Sequence, residues 1–163
     1  MLSYGLDLSK EAVMPEVDNS GYTVKYETHI PAPRATVFAF LLDPDKLLRW
    51  MGTGSEMDPH PGGIYLLKGV AGKHNARGTF KEVVPVHRLA YSFGWDHRAE
   101  VPPDSTLIEI DLEERGQGTL LKITHSGLPT EEERAAHAKG WTHYIDRLGK
   151  VLSGEPVEPD QPW

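Results

Sequence analysis

Cysteine is absent from the chain, so disulfides, thiolate metal ligation and a cysteine nucleophile are excluded. No apolar run approaches the roughly 20 residues that a membrane-spanning helix needs. Met1 to Ser20 lacks the basic-then-apolar order of a secretory leader. Positive charge is sparse as well: 17 Lys and Arg stand against 24 Asp and Glu, and the cations are scattered. A nucleic-acid partner requires a concentrated basic face to neutralise phosphates, so none is expected. No Gly-x-Ser-x-Gly elbow offers a serine nucleophile. These absences leave a protein expected in the cytoplasm, without a membrane span, whose 163 residues suit one domain.

The pattern that remains is an α+β one. From Thr130 to Leu152 the apolar residues Ala138, Trp141, Ile145, Leu148 and Leu152 fall three and four apart, on one stripe of a helix. Thr130 with Glu133 three residues later marks its start as a capping box. Ahead of it, alternation predicts strands at Tyr22 to Ile30, Ile64 to Val70, Lys73 to Val84, His87 to Asp96, Thr106 to Glu114 and Thr119 to Ser126. A further short strand fits near Ser55 to Met57. Two short helices follow the first strand. Pro33 opens one, and Asp43-Pro44 caps the other. One long amphipathic helix can bury its stripe against one curved antiparallel sheet of six to seven strands, a layout that readily leaves a hollow. Residues 1–20 are expected to form an arm, 21–152 the domain, and 153–163 an acidic, proline-rich tail. Gly140, in mid-helix, is expected to allow close approach to the sheet beside Trp141.

Several strings resemble the family of the activator of the heat-shock-protein-ninety ATPase, within the START-like (SRPBCC) superfamily. They are Ala32-Pro33, Val37-Phe38, Asp43-Pro44 and Trp50; Pro61-Gly62-Gly63-Ile64-Tyr65; Gly78 to Pro85 with Arg88-Leu89-Ala90-Tyr91; Gly118-Thr119 with Leu121; and Gly140-Trp141. The resemblance spans about Tyr22 to Leu152 and implies the helix-grip fold, in which the sheet wraps the C-terminal helix and often leaves a cavity. The chaperone activator itself carries an additional N-terminal domain for which this chain has little room, so a chaperone partner is not expected. A homodimer is left open.

Strand periodicity also nominates the lining of such a cavity. His87, Leu89, Tyr91, Phe93 and Trp95 share a face, as do Ile108, Ile110 and Leu112, and Leu121, Ile123 and His125. Tyr65 and Leu67 join them from another strand, and His137, Trp141 and Tyr144 from the helix. The expected ligand-binding set is Tyr65, Tyr91, Phe93, Trp95, Ile110, Ile123, His125, His137, Trp141 and Tyr144. These side chains either line a pocket for a hydrophobic or aromatic small molecule or fill a solid core. An enzyme resembling the superfamily's polyketide cyclases or aromatases is the first alternative, with His125 or Glu82 moving protons. A protein-interaction module is the second. None of the histidines shows zinc-ligand spacing, so no metal or cofactor is expected. His60, His74 and His97 are expected to be exposed. The pairs Gly62-Gly63 and Gly116 to Gly118 precede strands, as turn glycines do, and are not expected to cradle phosphate.

Overall fold

The computed structural model describes residues 15–163. Most of the expected arm therefore lies outside the described residues. The rest folds as β1 (Glu16–Asp18), β2 (Thr23–Ile30), α1 (Arg34–Leu42), α2 (Pro44–Leu47), β3 (Gly54–Met57), β4 (Ile64–Val70), β5 (His74–Val84), β6 (Arg88–Trp95), β7 (Thr106–Arg115), β8 (Gly118–Ser126) and α3 (Glu131–Leu152). All neighbouring strands pair antiparallel, in the order β1-β2-β8-β7-β6-β5-β4-β3. The sheet thus has eight strands where six to seven were expected. The extra one is β1, too short to show a period; β3 is the short strand expected near Ser55 to Met57. β1 also draws residues 16–18 of the expected arm into the sheet beside β2.

Local chemistry explains the helix boundaries. The Asp43 carboxylate accepts from the backbone N–H of Asp45 at 3.0 Å and so starts α2. Thr130 Oγ1 accepts from Glu133 N–H at 3.1 Å. The capping box is only half made, because the Glu133 carboxylate turns away to Arg98, 2.6 Å from its Nη2.

The two halves of α3 differ. Its C-terminal half sends Ile145, Leu148 and Val151 into the main core, with Phe80, Leu89, Ile110, Leu121 and Ile123 from the sheet and Val37 and Leu41 from α1. Its N-terminal half contributes Ala138 to a smaller cluster with Val24, Val101 and Leu128. Trp95 and Trp141 pack against both clusters. The stripe is rotated slightly from expectation: Tyr144 and Val151 are buried, while Trp141 and Leu152 are half-buried.

Gly78 shows how tightly the sheet is folded on itself. A Cβ there would lie 1.6 Å from the carbonyl oxygen of Ser92 on β6. Backbone cannot retreat as a flexible side chain can. Gly78→Ala is expected to cost more than about 2 kcal/mol through overpacking. A chemical-denaturation midpoint unchanged from the parent would contradict this packing.

Candidate functional site

A cavity of about 210 Å³ lies between the N-terminal half of α3 and strands β4, β5, β6 and β8. Its sheet wall carries Tyr65, Leu67, Ala76, Tyr91, Phe93, Trp95 and His125, and its helix wall carries Ala136, His137, Gly140, Trp141 and Tyr144. Aromatic rings dominate the interior. Tyr65 stacks on Tyr91 at 4.1 Å between centroids, and Phe93 meets Trp95, His125 and His137 edge-on. Burial, more than any neighbour, pushes the Tyr65 hydroxyl up to about 12 and that of Tyr91 well above its usual value. Both stay protonated at neutral pH.

The two inner histidines are held by hydrogen bonds at both ring nitrogens. Thr106 Oγ1 gives its single proton to the Phe93 carbonyl at 2.7 Å. The 2.9 Å contact between Thr106 Oγ1 and His125 Nε2 therefore requires an N–H on Nε2. His125 Nδ1 accepts from the Trp141 indole N–H at 3.1 Å. His137 has the opposite tautomer: Nδ1 donates to the Glu133 carbonyl at 2.7 Å, and Nε2 accepts from the Trp95 indole at 3.0 Å. Each ring is neutral and each lone pair is occupied. Burial first, then the nearby His137, drives His125 well below the ordinary 6.5. Burial likewise lowers His137, against the opposing pull of Glu133.

Of the ten expected ligand-binding residues, eight come together here. Ile110 and Ile123 do not: both are buried in the main core, away from the lining. Glu82 is also outside. A β-bulge between Phe80 and Glu82 inserts one residue, reverses the strand phase and turns the carboxylate outward. There it accepts from Arg88 Nε at 2.9 Å. His87, expected on the inward face of β6, precedes that strand, is exposed and meets Arg34. Gly140 allows no close approach to the sheet, since a Cβ on it would touch nothing within 4 Å. It keeps the helix wall open instead.

Sequence periodicity missed the mouth. His74 and His97 were expected to be exposed; His97 is, but His74 is half-buried, and the two rings stack at 3.7 Å beside Arg98 at the cavity edge. The residues that place them belong to a turn and a loop, where no period operates. The tail was missed as well. Asp160 is 8% exposed, and its carboxylate accepts from Gly52 N–H at 2.7 Å and from Tyr144 O–H at 2.9 Å. Trp163 stacks on His143 at 3.9 Å and reaches the cavity lining. Among the described residues, no group of three or more His, Asp or Glu could hold a metal, and no helix is long and apolar enough to cross a membrane.

Two outcomes follow from this geometry. The depressed histidines bind fewer protons folded than unfolded below pH 6.5. Their stabilising contribution is thus complete above that pH and lost as pH falls through the folded values. Stability measured in urea is expected to fall on acidification from pH 7.5 to 5.5, by up to about 1.4 kcal/mol per pH unit for each ring. A flat profile would contradict the neutral, buried state. Asp160→Ala leaves the Gly52 N–H and the Tyr144 hydroxyl without their acceptor, and is expected to cost about 1–3 kcal/mol. Limited proteolysis should then release the tail, whereas an unaltered cleavage pattern would show that the carboxylate does not hold it.

Comparison with known proteins agrees with the fold. Residues 31–153 match the model of the family described as activator of Hsp90 ATPase homolog 1-like protein. The chain is similar to the solution structure of an AHSA1-like protein from Rhizobium etli, with 57% identity over 85% of this chain and 86% of that one, and a TM-score of 0.69. It is similar to CalU16 from Micromonospora echinospora, with 28% identity, 80% and 76% coverage, and a TM-score of 0.67. The Aha1 dimer from Colwellia psychrerythraea, 17% identical over 80% of this chain and 95% of that one, shares the fold at a TM-score of 0.67. None of the curated proteins matches the chain. A match over most of the domain, on a sheet that grips one long C-terminal helix, places this chain in the activator of Hsp90 ATPase homolog 1-like family of the START-like superfamily.

Proposed function

We propose that the cavity binds a small, apolar, aromatic-rich molecule without covalent chemistry. The observation that carries this reading is that neither buried histidine has a nitrogen to spare. A general base needs an available lone pair within reach of substrate. In His125 and His137 those lone pairs accept from Trp141 and Trp95. Freeing His125 would leave the Trp141 indole N–H without its acceptor. The cyclase-like alternative is correspondingly weaker, and Glu82 gives it no support from the outer face. What the walls present is ring faces and edges, which suit flat apolar ligands. The Tyr65 and Tyr91 hydroxyls add neutral hydrogen-bonding capacity on the sheet side.

The interaction-module alternative has less behind it. The exposed large apolar residues among those described are Val17, Tyr22, Ile64, Val84 and Trp163, which belong to five different segments. Single exposed apolar residues are ordinary on a monomer. A cytoplasmic protein that takes up a small molecule fits all of these features.

Gly140 supplies the test, because it sits on the cavity-facing stripe with open space beyond it. Gly140→Ala is expected to stabilise α3 by about 0.5–1 kcal/mol through helix propensity. Gly140→Leu should also fold, but should abolish the tryptophan quenching and thermal shift produced by naphthalene-type probes in the parent protein. Undiminished binding to the leucine variant, or no binding to the parent across a broad aromatic panel, would refute the proposal.

A further inference from the structure

Resting on the cavity reading, we infer that the ligand is an amphipathic acid whose apolar body fills the cavity and whose anionic group sits at the mouth, against His74, His97, Arg98 and Lys73. The interior cannot supply a charged partner, since its two histidines are neutral and fully engaged. The mouth is different. His74 and His97 stack face to face at 3.7 Å, and both stand edge-on to Trp95, the aromatic wall of the cavity. Among the described residues, neither ring has a hydrogen-bond partner, and none contributes to their titration. Two imidazole edges are therefore left to offer N–H groups side by side.

Their surroundings are cationic. Partial burial comes first in lowering His74, followed by the charges of Lys73 and Arg98. At His97 burial is followed by His74 and Arg98, with Asp96 opposing and Lys73 adding to them. Asp96 is itself committed to Arg77, at 2.7 Å. Arg98 lines the cavity while its Nε and Nη2 hold the buried Glu133, which fixes the guanidinium in place. The Lys139 ammonium lies 5.5 Å from the centre of the Trp163 ring, another lining residue. The chain as a whole carries a formal net charge of −7, yet here Lys73, Arg98 and Lys139 outnumber Glu133, the carboxylate paired with Arg98. Cations around a low-dielectric mouth attract an anion and orient it with its apolar part inward. A carboxylate that arrives there gains N–H donors that no group of the folded protein uses.

The test compares two probes of almost equal shape: a naphthalene carboxylic acid and its neutral carboxamide, titrated by tryptophan quenching at pH 7. The acid is expected to bind about fivefold tighter, and this preference should shrink as salt is raised. In the double variant Lys73→Gln, His97→Gln, which alters only exposed side chains, the acid-to-amide ratio should fall towards one. Lys73→Glu, a second variant at an exposed position, should invert the preference. Equal binding of acid and amide, or a preference untouched by these variants, overturns the inference and leaves the cavity reading standing. Failure of both probes to bind the parent protein overturns both.

Discussion

The site depends on a pair of indole-to-imidazole hydrogen bonds. Trp141 donates to His125 and Trp95 donates to His137, one bond across the helix–sheet gap in each direction. An indole N–H is only a donor, so its partner must be a lone pair. That requirement keeps both imidazoles neutral in a place where burial already disfavours their charge. It also fixes four large rings as walls. With the walls pinned, α3 cannot settle onto the sheet along its N-terminal half without breaking these polar pairs. A hollow therefore survives beside the packed main core.

The composition of α3 completes this division. Ile145, Leu148 and Val151 fill the space above the core strands. Ala136 and Gly140, one face further along, are too small to reach across. The tail extends the same wall. Asp160 ties it to the α3 residue Tyr144 and to the turn at Gly52, and Trp163 stands on His143 beside the mouth. The family fold provides the grip, while aromatic pairs, small helix residues and the docked tail shape the cavity of this member.

Much of this was legible in the residues. The period of α3, the Asp43 and Thr130 caps and the alternation of β6 and β8 all rest on local rules that the folded chain obeys. Inward phase also nominated Tyr91, Trp95, His125 and Trp141, which surround one cavity. Glu82 was misread because one inserted residue at a bulge reverses every later side chain of that strand, and a bulge leaves no mark in an alternation pattern. Ile110 and Ile123 have the right phase but lie under the filled half of α3, a distinction that depends on where along the helix each strand crosses. The His74–His97 stack and the docking of Asp160 join residues 23 and 108 positions from their partners, respectively, through loops without any period.

Nitrogen-15 NMR of the imidazoles tests the central claim most directly. Long-range proton–nitrogen correlations distinguish the two neutral tautomers from each other and from the imidazolium. At pH 7 His125 should carry its proton on Nε2 and His137 on Nδ1, and neither should titrate near 6.5 as an ordinary histidine does. An imidazolium signal at either position, the reverse tautomer, or a titration at the ordinary pH would show that the lone pairs are not committed to the tryptophans. The account of a binding cavity without a free base would then be contradicted.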